Sequence, residues 1–341
     1  MRAALDLRVL DQPALAERGI GRYARELAAA LPEDTIRLRA LARPPAPARL
    51  AELWEHVLLG RDARRAGAEL LHSPSIDFAT TRPGIPYVVT LHDLVPLKQP
   101  ERYLRTGVKH RLRYAAVKRA TRVIVPSEAV AADARALLGI ERVDVVPEAA
   151  GHAFRRLSAP RGLLARLRVP ARFFVWVGGL DPPDPRKRIT ELAAHVARSP
   201  GLPLVLVGRY DARGAELAAE GRVVLTGRVS DQELAALYGA AEALLLPSEE
   251  EGFGLTAQEA LACGTPVAAC DSPALRETLA GRTGVRLVDP GDLAGLLAAG
   301  EELAEAEVDV PTRGWADVAR ETLAVYERAV SDTAGGGRAR A

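Results

Sequence analysis

A chain of 341 residues exceeds one ordinary domain and suits two of about 150–170 residues. Hydrophobic residues make up 48% but aromatics only 4%, so the cores must be built from Leu, Val and Ala. A formal charge of +2 gives no reason to expect nucleic acid, and two cysteines, Cys263 and Cys270, read as reduced and buried, with no Cys/His spacing that suits a metal.

Strand-like runs alternate with helical periodicity along the chain, the pattern of a parallel α/β architecture. Residues 2–7 read as a strand rather than a leader, followed by a loop closing on Gly19-Ile20-Gly21-Arg22. A helix comes next, with Ile20, Tyr23, Ala24, Leu27 and Leu31 on one face. Residues 70–72 form a strand end, 86–91 a buried strand, 103–119 a helix and 122–126 another strand. Ser127 is placed to cap a helix that stops at Gly139, and residues 143–147 close the first half. Broken by prolines and glycine, 151–170 reads as a connection. The pattern then restarts, with strands at 173–177, 202–208, 222–227, 242–247, 267–270 and 285–288.

A last helix is expected at 315–330 and a disordered tail at 331–341. The domains are therefore expected at 1–160 and 161–314, with the last helix able to pack back on the first. No apolar run approaches the ~20 residues a bilayer-spanning helix needs, so a soluble, cytoplasmic protein is expected. Ligands of such folds sit beyond the carboxyl ends of the strands, which predicts a cleft between the halves.

The segment Glu250-Glu251-Gly252-Phe253-Gly254-Leu255-Thr256-Ala257-Gln258-Glu259 carries the most chemistry. One carboxylate precedes a glycine-lined bend, and a second lies about one turn into the helix that follows. Either glutamate alone would suit a solvated face. Glycines at 252 and 254 admit close backbone approach, and amides opening a helix favour a phosphate.

Gly19 and Gly21, after the first strand, mark either a tight turn or close approach to a phosphate or acceptor, reinforced by Arg22. His92 and Asp93 follow a strand at its carboxyl end, and His72 with Ser73 and Ser75 occupies an equivalent position. Arg186, Lys187 and Arg188 follow a strand ending in Gly178-Gly179, with Arg209 beside Gly208. They are either surface charge or the cations that neutralise a departing diphosphate. A basic, amphipathic stretch at 102–122 suits a solvated face, or peripheral contact with the anionic inner face of a membrane.

These residues resemble the retaining glycosyltransferases of the large family 4, group 1, with two glutamates separated by seven residues, Glu251 and Glu259 here. Further likenesses are Gly19-Ile20-Gly21-Arg22-Tyr23, Leu91-His92-Asp93-Leu94-Val95-Pro96, Val177-Gly178-Gly179-Leu180-Asp181 and Glu277. The resemblance implies a GT-B fold, two facing Rossmann-like domains with a deep cleft, and transfer of a hexose from a nucleoside diphosphate sugar. GDP-mannose is the favoured donor, no cofactor or metal is needed, and the acceptor is a glycan, a lipid-linked molecule or a small molecule. It implies that Glu259 binds the ribose and Glu251 the donor sugar, with loop amides at Phe253, Gly254, Leu255 and Thr256. Arg186 or Lys187, with Arg209, would grip the diphosphate. His92 would sit over the sugar, with Gly19 and Gly21 lining the phosphate and acceptor side and Gly179 among the residues that bind the nucleotide sugar.

The chain departs from the family pattern at Thr256, where proline is usual, at Arg276-Glu277, at Pro147-Glu148-Ala149-Ala150 and in the proline-rich loop after Gly179. Alternatives are a glucosyl-, rhamnosyl- or other deoxysugar transferase using a UDP- or dTDP-sugar, an epimerase or a phosphorylase. A non-catalytic nucleotide-sugar-binding partner is the alternative of another class.

Overall fold

The computed structural model describes residues 1–39, 58–103, 107–158, 162–218 and 221–338, with backbone alone for 78, 107–112 and 335–338. The chain divides into two compact units, one of Met1–Glu148 with Trp315–Ala341 and one of Ala149–Gly314. The chain thus first crosses between units after Glu148, where the sequence reading puts the boundary at 160.

In the first unit the strands are β1 (Ala3–Asp6), β2 (Ile36–Leu38), β3 (Leu70–Ser73), β4 (Tyr87–Thr90), β5 (Arg122–Val125) and β6 (Val143–Val145). They form one parallel sheet in the order β2-β1-β3-β4-β5-β6. Its principal helices are α1 (Gly19–Ala30), α2 (Gly107–Lys118) and α3 (Glu128–Leu138). Ser127 caps α3, accepting from the Val130 amide at 3.3 Å, and Gly139 ends it at φ 64°, the left-handed stop expected of a C-terminal glycine.

The second unit has strands β7 (Phe174–Val177), β8 (Leu204–Val207), β9 (Val223–Gly227), β10 (Ala243–Leu246), β11 (Val267–Cys270) and β12 (Val285–Val288). Their order is β12-β11-β10-β7-β8-β9, again all parallel. Helices α4 (Ile189–Arg198), α5 (Asp231–Ala240), α6 (Leu255–Ala262), α7 (Pro273–Leu279) and α8 (Leu293–Glu302) complete it. Both sheet faces are covered, as a parallel sheet requires. Val175, Val205, Leu244 and Leu246 pack with Leu237, Ala257 and Leu261 of α5 and α6. The alternate residues Phe174, Trp176, Leu206 and Leu245 pack with Leu192 of α4 and Leu296 of α8. Period-two strands with apolar residues at every position serve both cores at once.

The last helix, α9 (Trp315–Arg338), belongs to the first unit and packs against α1, β4 and β5. It runs past Val330, where the sequence reading ends it and expects a disordered tail, so residues 331–338 are helical instead, and Asp332 among them pairs with Arg122 at 2.9 Å. Residues 339–341 of the expected tail lie outside the described residues. β2 has no counterpart in the sequence reading: three residues are too few for a period to show. The expected helix at 103–119 is α2, preceded by a separate short helix at Pro100–Tyr103, and residues 104–106 lie outside the described residues.

Candidate functional site

In each sheet the strand order reverses direction once, between β1 and β3 in the first unit and between β7 and β10 in the second. Loops leaving the carboxyl ends of two such strands diverge to opposite faces and leave a crevice. In the second unit those loops are residues 178–188 and 247–254, which carry the candidate cations and Glu251.

The two loops are joined charge to charge. Lys187 Nζ lies 2.5 Å from Glu251 Oε1. Arg186 pairs with Asp184 at 3.1 Å, and its backbone carbonyl accepts from the Glu249 amide at 2.9 Å. Arg188, in the left-handed region at φ 49°, lies 3.5 Å from Glu191 and 3.8 Å from Glu249. The Glu251 side chain is 10% exposed. Burial alone would raise its pKa, but the Lys187 and Arg186 charges and the Lys187 hydrogen bond hold it below the ordinary carboxylate value. Glu251 is therefore an ionised, partly desolvated acceptor.

Gly254 opens α6 at φ 86°, and a Cβ there would come within 2.5 Å of Leu275 Cδ2. The bend thus needs glycine for both conformation and space. The first bonds into α6 run from the Ala257 and Gln258 amides to the Gly254 carbonyl, which sets the Leu255 and Thr256 amides at the opening of the helix. Glu259 sits one turn in and is fully buried. Phe253 turns its ring into the protein and its carbonyl accepts from Thr278 Oγ1 at 3.0 Å.

At the end of β7, Gly178 faces Gly208 backbone to backbone: a Cβ on Gly208 would stand 1.9 Å from the Gly178 carbonyl oxygen. The approach at Gly179 is less severe, a Cβ there meeting Asp181 Oδ1 at 3.3 Å. Arg209 is half-exposed and bonded to Asp181 at 2.8 Å. Arg276, a departure from the family pattern, is tied to Asp271 at 2.6 Å.

In the first unit, His92 follows β4 with both ring nitrogens engaged, Nδ1 to Glu148 Oε1 at 2.9 Å and Nε2 to the Pro74 carbonyl at 2.9 Å. The Tyr23 ring of α1 meets it edge-on, centroids 4.7 Å apart. Behind it lies a buried polar chain. Tyr23 Oη is 3.1 Å from Thr90 Oγ1, Thr90 is 2.9 Å from His72 Nε2, and His72 Nδ1 is 2.7 Å from Tyr326 Oη of α9. His72 is thus a core histidine rather than a cleft residue, and burial pushes its pKa down to about 3.

Gly19 begins α1, and Gly21 is buried with its bare face against Ala16, whose carbonyl oxygen a Cβ would meet at 2.3 Å. The need for glycine at 21 is therefore close packing within its own unit. Asp93 accepts from the Val95 amide at 3.2 Å.

Of the basic stretch at 102–122, residues 104–106 and the side chains of 107–112 lie outside the described residues. Arg113 turns to Asp77 at 2.6 Å, and Arg122 to Asp144 and Asp332. Among the described residues no helix is long and apolar enough to cross a membrane, and no group of three or more His, Cys, Asp or Glu could hold a metal ion.

Glu148, 6% exposed, carries no role in the sequence reading. Its one signal there is the departure at Pro147-Glu148, a carboxylate just beyond a strand end. Its partner lies 56 residues away, beyond the reach of local periodicity.

A family profile described as "Glycosyl transferases group 1" matches residues 171–306, and one described as "Glycosyltransferase Family 4" matches 18–150. A 2-deoxystreptamine N-acetyl-D-glucosaminyltransferase of Streptomyces fradiae is 32% identical over 287 residues, 74% of this chain and 67% of the relative. An MMP alpha-(1->4)-mannosyltransferase of Mycolicibacterium hassiacum is 35% identical over 173 residues, 44% of this chain and 42% of the relative, so that match spans less than half of either protein. Among solved structures, a sucrose-phosphate synthase from Thermosynechococcus elongatus aligns with a TM-score of 0.68 at 23% identity, covering 99% of this chain and 98% of that one.

Proposed function

The chain is a glycosyltransferase that belongs to family 4, group 1, with the GT-B fold, and on that premise we propose that it transfers a hexosyl group from a nucleoside diphosphate sugar to an acceptor hydroxyl. In this reading transfer retains anomeric configuration and needs no metal, and mannose from GDP-mannose is the first candidate. The acceptor is a glycan, a lipid-linked molecule or a small molecule.

The ion pair of Lys187 with Glu251 at the second unit's switch point carries the reading, with buried Glu259 one turn into the adjoining helix. A nucleoside diphosphate sugar offers complementary groups to each. Its diphosphate matches Lys187, Arg186 and the amides opening α6, with Arg209 at the rim. Sugar hydroxyls donate to the ionised Glu251, and the ribose hydroxyls donate to Glu259. Gly179 leaves room for the phosphate beside the end of β7.

The proton of the acceptor hydroxyl passes to the departing phosphate on the same face as attack, while fixed charges stabilise the oxocarbenium-like state. His92 supports that route, because neither ring nitrogen is free to act as a base. One observation favours a second donor: the Streptomyces relative, named for N-acetylglucosaminyl transfer, matches more of this chain than the mannosyl relative does. An N-acetylhexosaminyl donor is therefore the alternative.

A thermal-shift screen of guanosine, uridine and thymidine diphosphates and their sugars separates these readings, since a ligand of the folded state raises the melting temperature. Stabilisation by GDP and GDP-mannose is expected. Selective stabilisation by a UDP-N-acetylhexosamine would replace mannose, and no response to any of them would reject the proposal.

A further inference from the structure

Glu148 stands just beyond β6 as the last residue of the first unit before the chain passes to the second. A carboxylate 6% exposed needs a partner. Its Oε1 lies 2.9 Å from His92 Nδ1, while the Pro74 carbonyl lies 2.9 Å from His92 Nε2. A peptide carbonyl only accepts, and so does an ionised carboxylate. The ring satisfies both only with a proton on each nitrogen, whereas a neutral imidazole would leave a lone pair aimed at an oxygen.

The surroundings agree. Burial disfavours a charged ring, but the hydrogen bond and charge of Glu148, the Pro74 carbonyl and the Asp93 charge together raise the His92 pKa above its ordinary value. Two further groups facing it, Tyr23 and His72, carry no opposing charge at neutral pH. Tyr23 presents a ring edge at an interplanar angle of 84°, and its buried hydroxyl has a pKa pushed far up. His72 is held neutral by burial. Three elements therefore fix one ring: the loop after β3, helix α1 and the segment after β6.

We propose that Glu148 is a positioning residue within the first unit, clamping His92 as a doubly donating imidazolium with both nitrogens committed, so that the ring is fixed and charge-paired and does not serve as a proton acceptor in sugar transfer. This rests on the reading of the chain as a nucleotide-sugar transferase in which His92 takes part. The clamp is complete below the raised His92 midpoint and is lost as pH rises through it, because the neutral ring abandons one partner. Transfer activity should fall over the same range.

The test is NMR of the full chain labelled with 15N-histidine, the His92 signals among the six histidines assigned with His92→Gln. At pH 6.5 both His92 nitrogens should be protonated. Glu148→Gln, which keeps the shape but not the charge, should move the His92 titration and the alkaline limb of the activity profile together to lower pH. It should also reduce kcat by up to about 100-fold through misplacement of the ring. Glu148→Asp should return part of both.

A neutral His92 at pH 6.5 in the unchanged chain would overturn the proposal, and so would a Glu148→Gln variant with unmoved titration and pH profile. Should Glu148→Gln not fold, the ring's state in the unchanged chain decides. A chain inert towards every nucleoside diphosphate sugar would reject the transfer reading and with it the positioning role, while the NMR result would still report whether the clamp exists.

Discussion

Glu251 keeps its charge at 10% exposure because Lys187 stands 2.5 Å away, and that balance sets what each substitution should do. Under the proposed reading, Glu251→Gln keeps the size but accepts sugar hydroxyls weakly. Turnover should fall by about 100-fold or more, with nucleoside diphosphate affinity little changed, as steady-state kinetics and calorimetry would show. Equal activity would remove Glu251 from the site. Lys187→Met removes the charge that opposes burial, so the Glu251 pKa should rise and the acid limb of the activity profile should move to higher pH.

His72 works in the opposite sense. Its folded midpoint of about 3 lies below the unfolded value of 6.5, so an unfolded chain takes up a proton that the folded one refuses. The stability it contributes is complete above pH 6.5 and is lost as pH falls toward 3, at up to about 1.4 kcal/mol per pH unit. Urea melts between pH 7 and 5 should show this slope flattened in His72→Gln, and an unchanged slope would place the sensitivity elsewhere.

At the scale of elements, α6 depends on how it begins. Gly254→Ala meets both a left-handed φ of 86° and the Leu275 side chain, so it should cost about 1–2 kcal/mol from conformation alone, plus the clash. It should also weaken nucleotide binding by displacing the amides at the helix opening. Gly139→Ala is the control: φ is 64° and nothing lies within 4 Å, so stability should fall by a similar conformational amount with nucleotide binding untouched. Chemical melts and calorimetry on both variants check the pair. If both lost nucleotide affinity alike, the effect would be general destabilisation.

What was legible in the sequence lies at this scale. Glu251, the glycine bend and Glu259 occupy one strand–loop–helix step, so spacing alone placed them around one helix start. Strands such as β10 were legible because both faces are buried and every residue is apolar. The pairings that complete the picture were not legible. His72 meets Tyr326 across 254 residues and Glu148 meets His92 across 56, and no local period encodes either. Gly21 was readable as special, but its cause, the Ala16 backbone at its bare face, becomes clear only once α1 is packed.

For the whole molecule, two six-stranded parallel sheets each supply one switch point, and each unit assembles its own cluster beyond its strand ends. The first unit contributes a ring held by a carboxylate and a carbonyl. The second contributes an ion pair, a buried glutamate and a helix opening. The chemistry assigned to the second unit stands or falls with nucleotide recognition by α6 and the loops after β7 and β10.

Isothermal titration of nucleoside diphosphates into the unchanged chain and into Glu259→Ala tests that recognition most directly. At least one nucleotide, GDP first, should bind the unchanged chain, with affinity falling about tenfold or more in the variant if the buried Glu259 carboxylate is the proposed acceptor for the ribose. Equal affinity in both proteins, or no binding of any nucleoside diphosphate to the unchanged chain, would contradict the account.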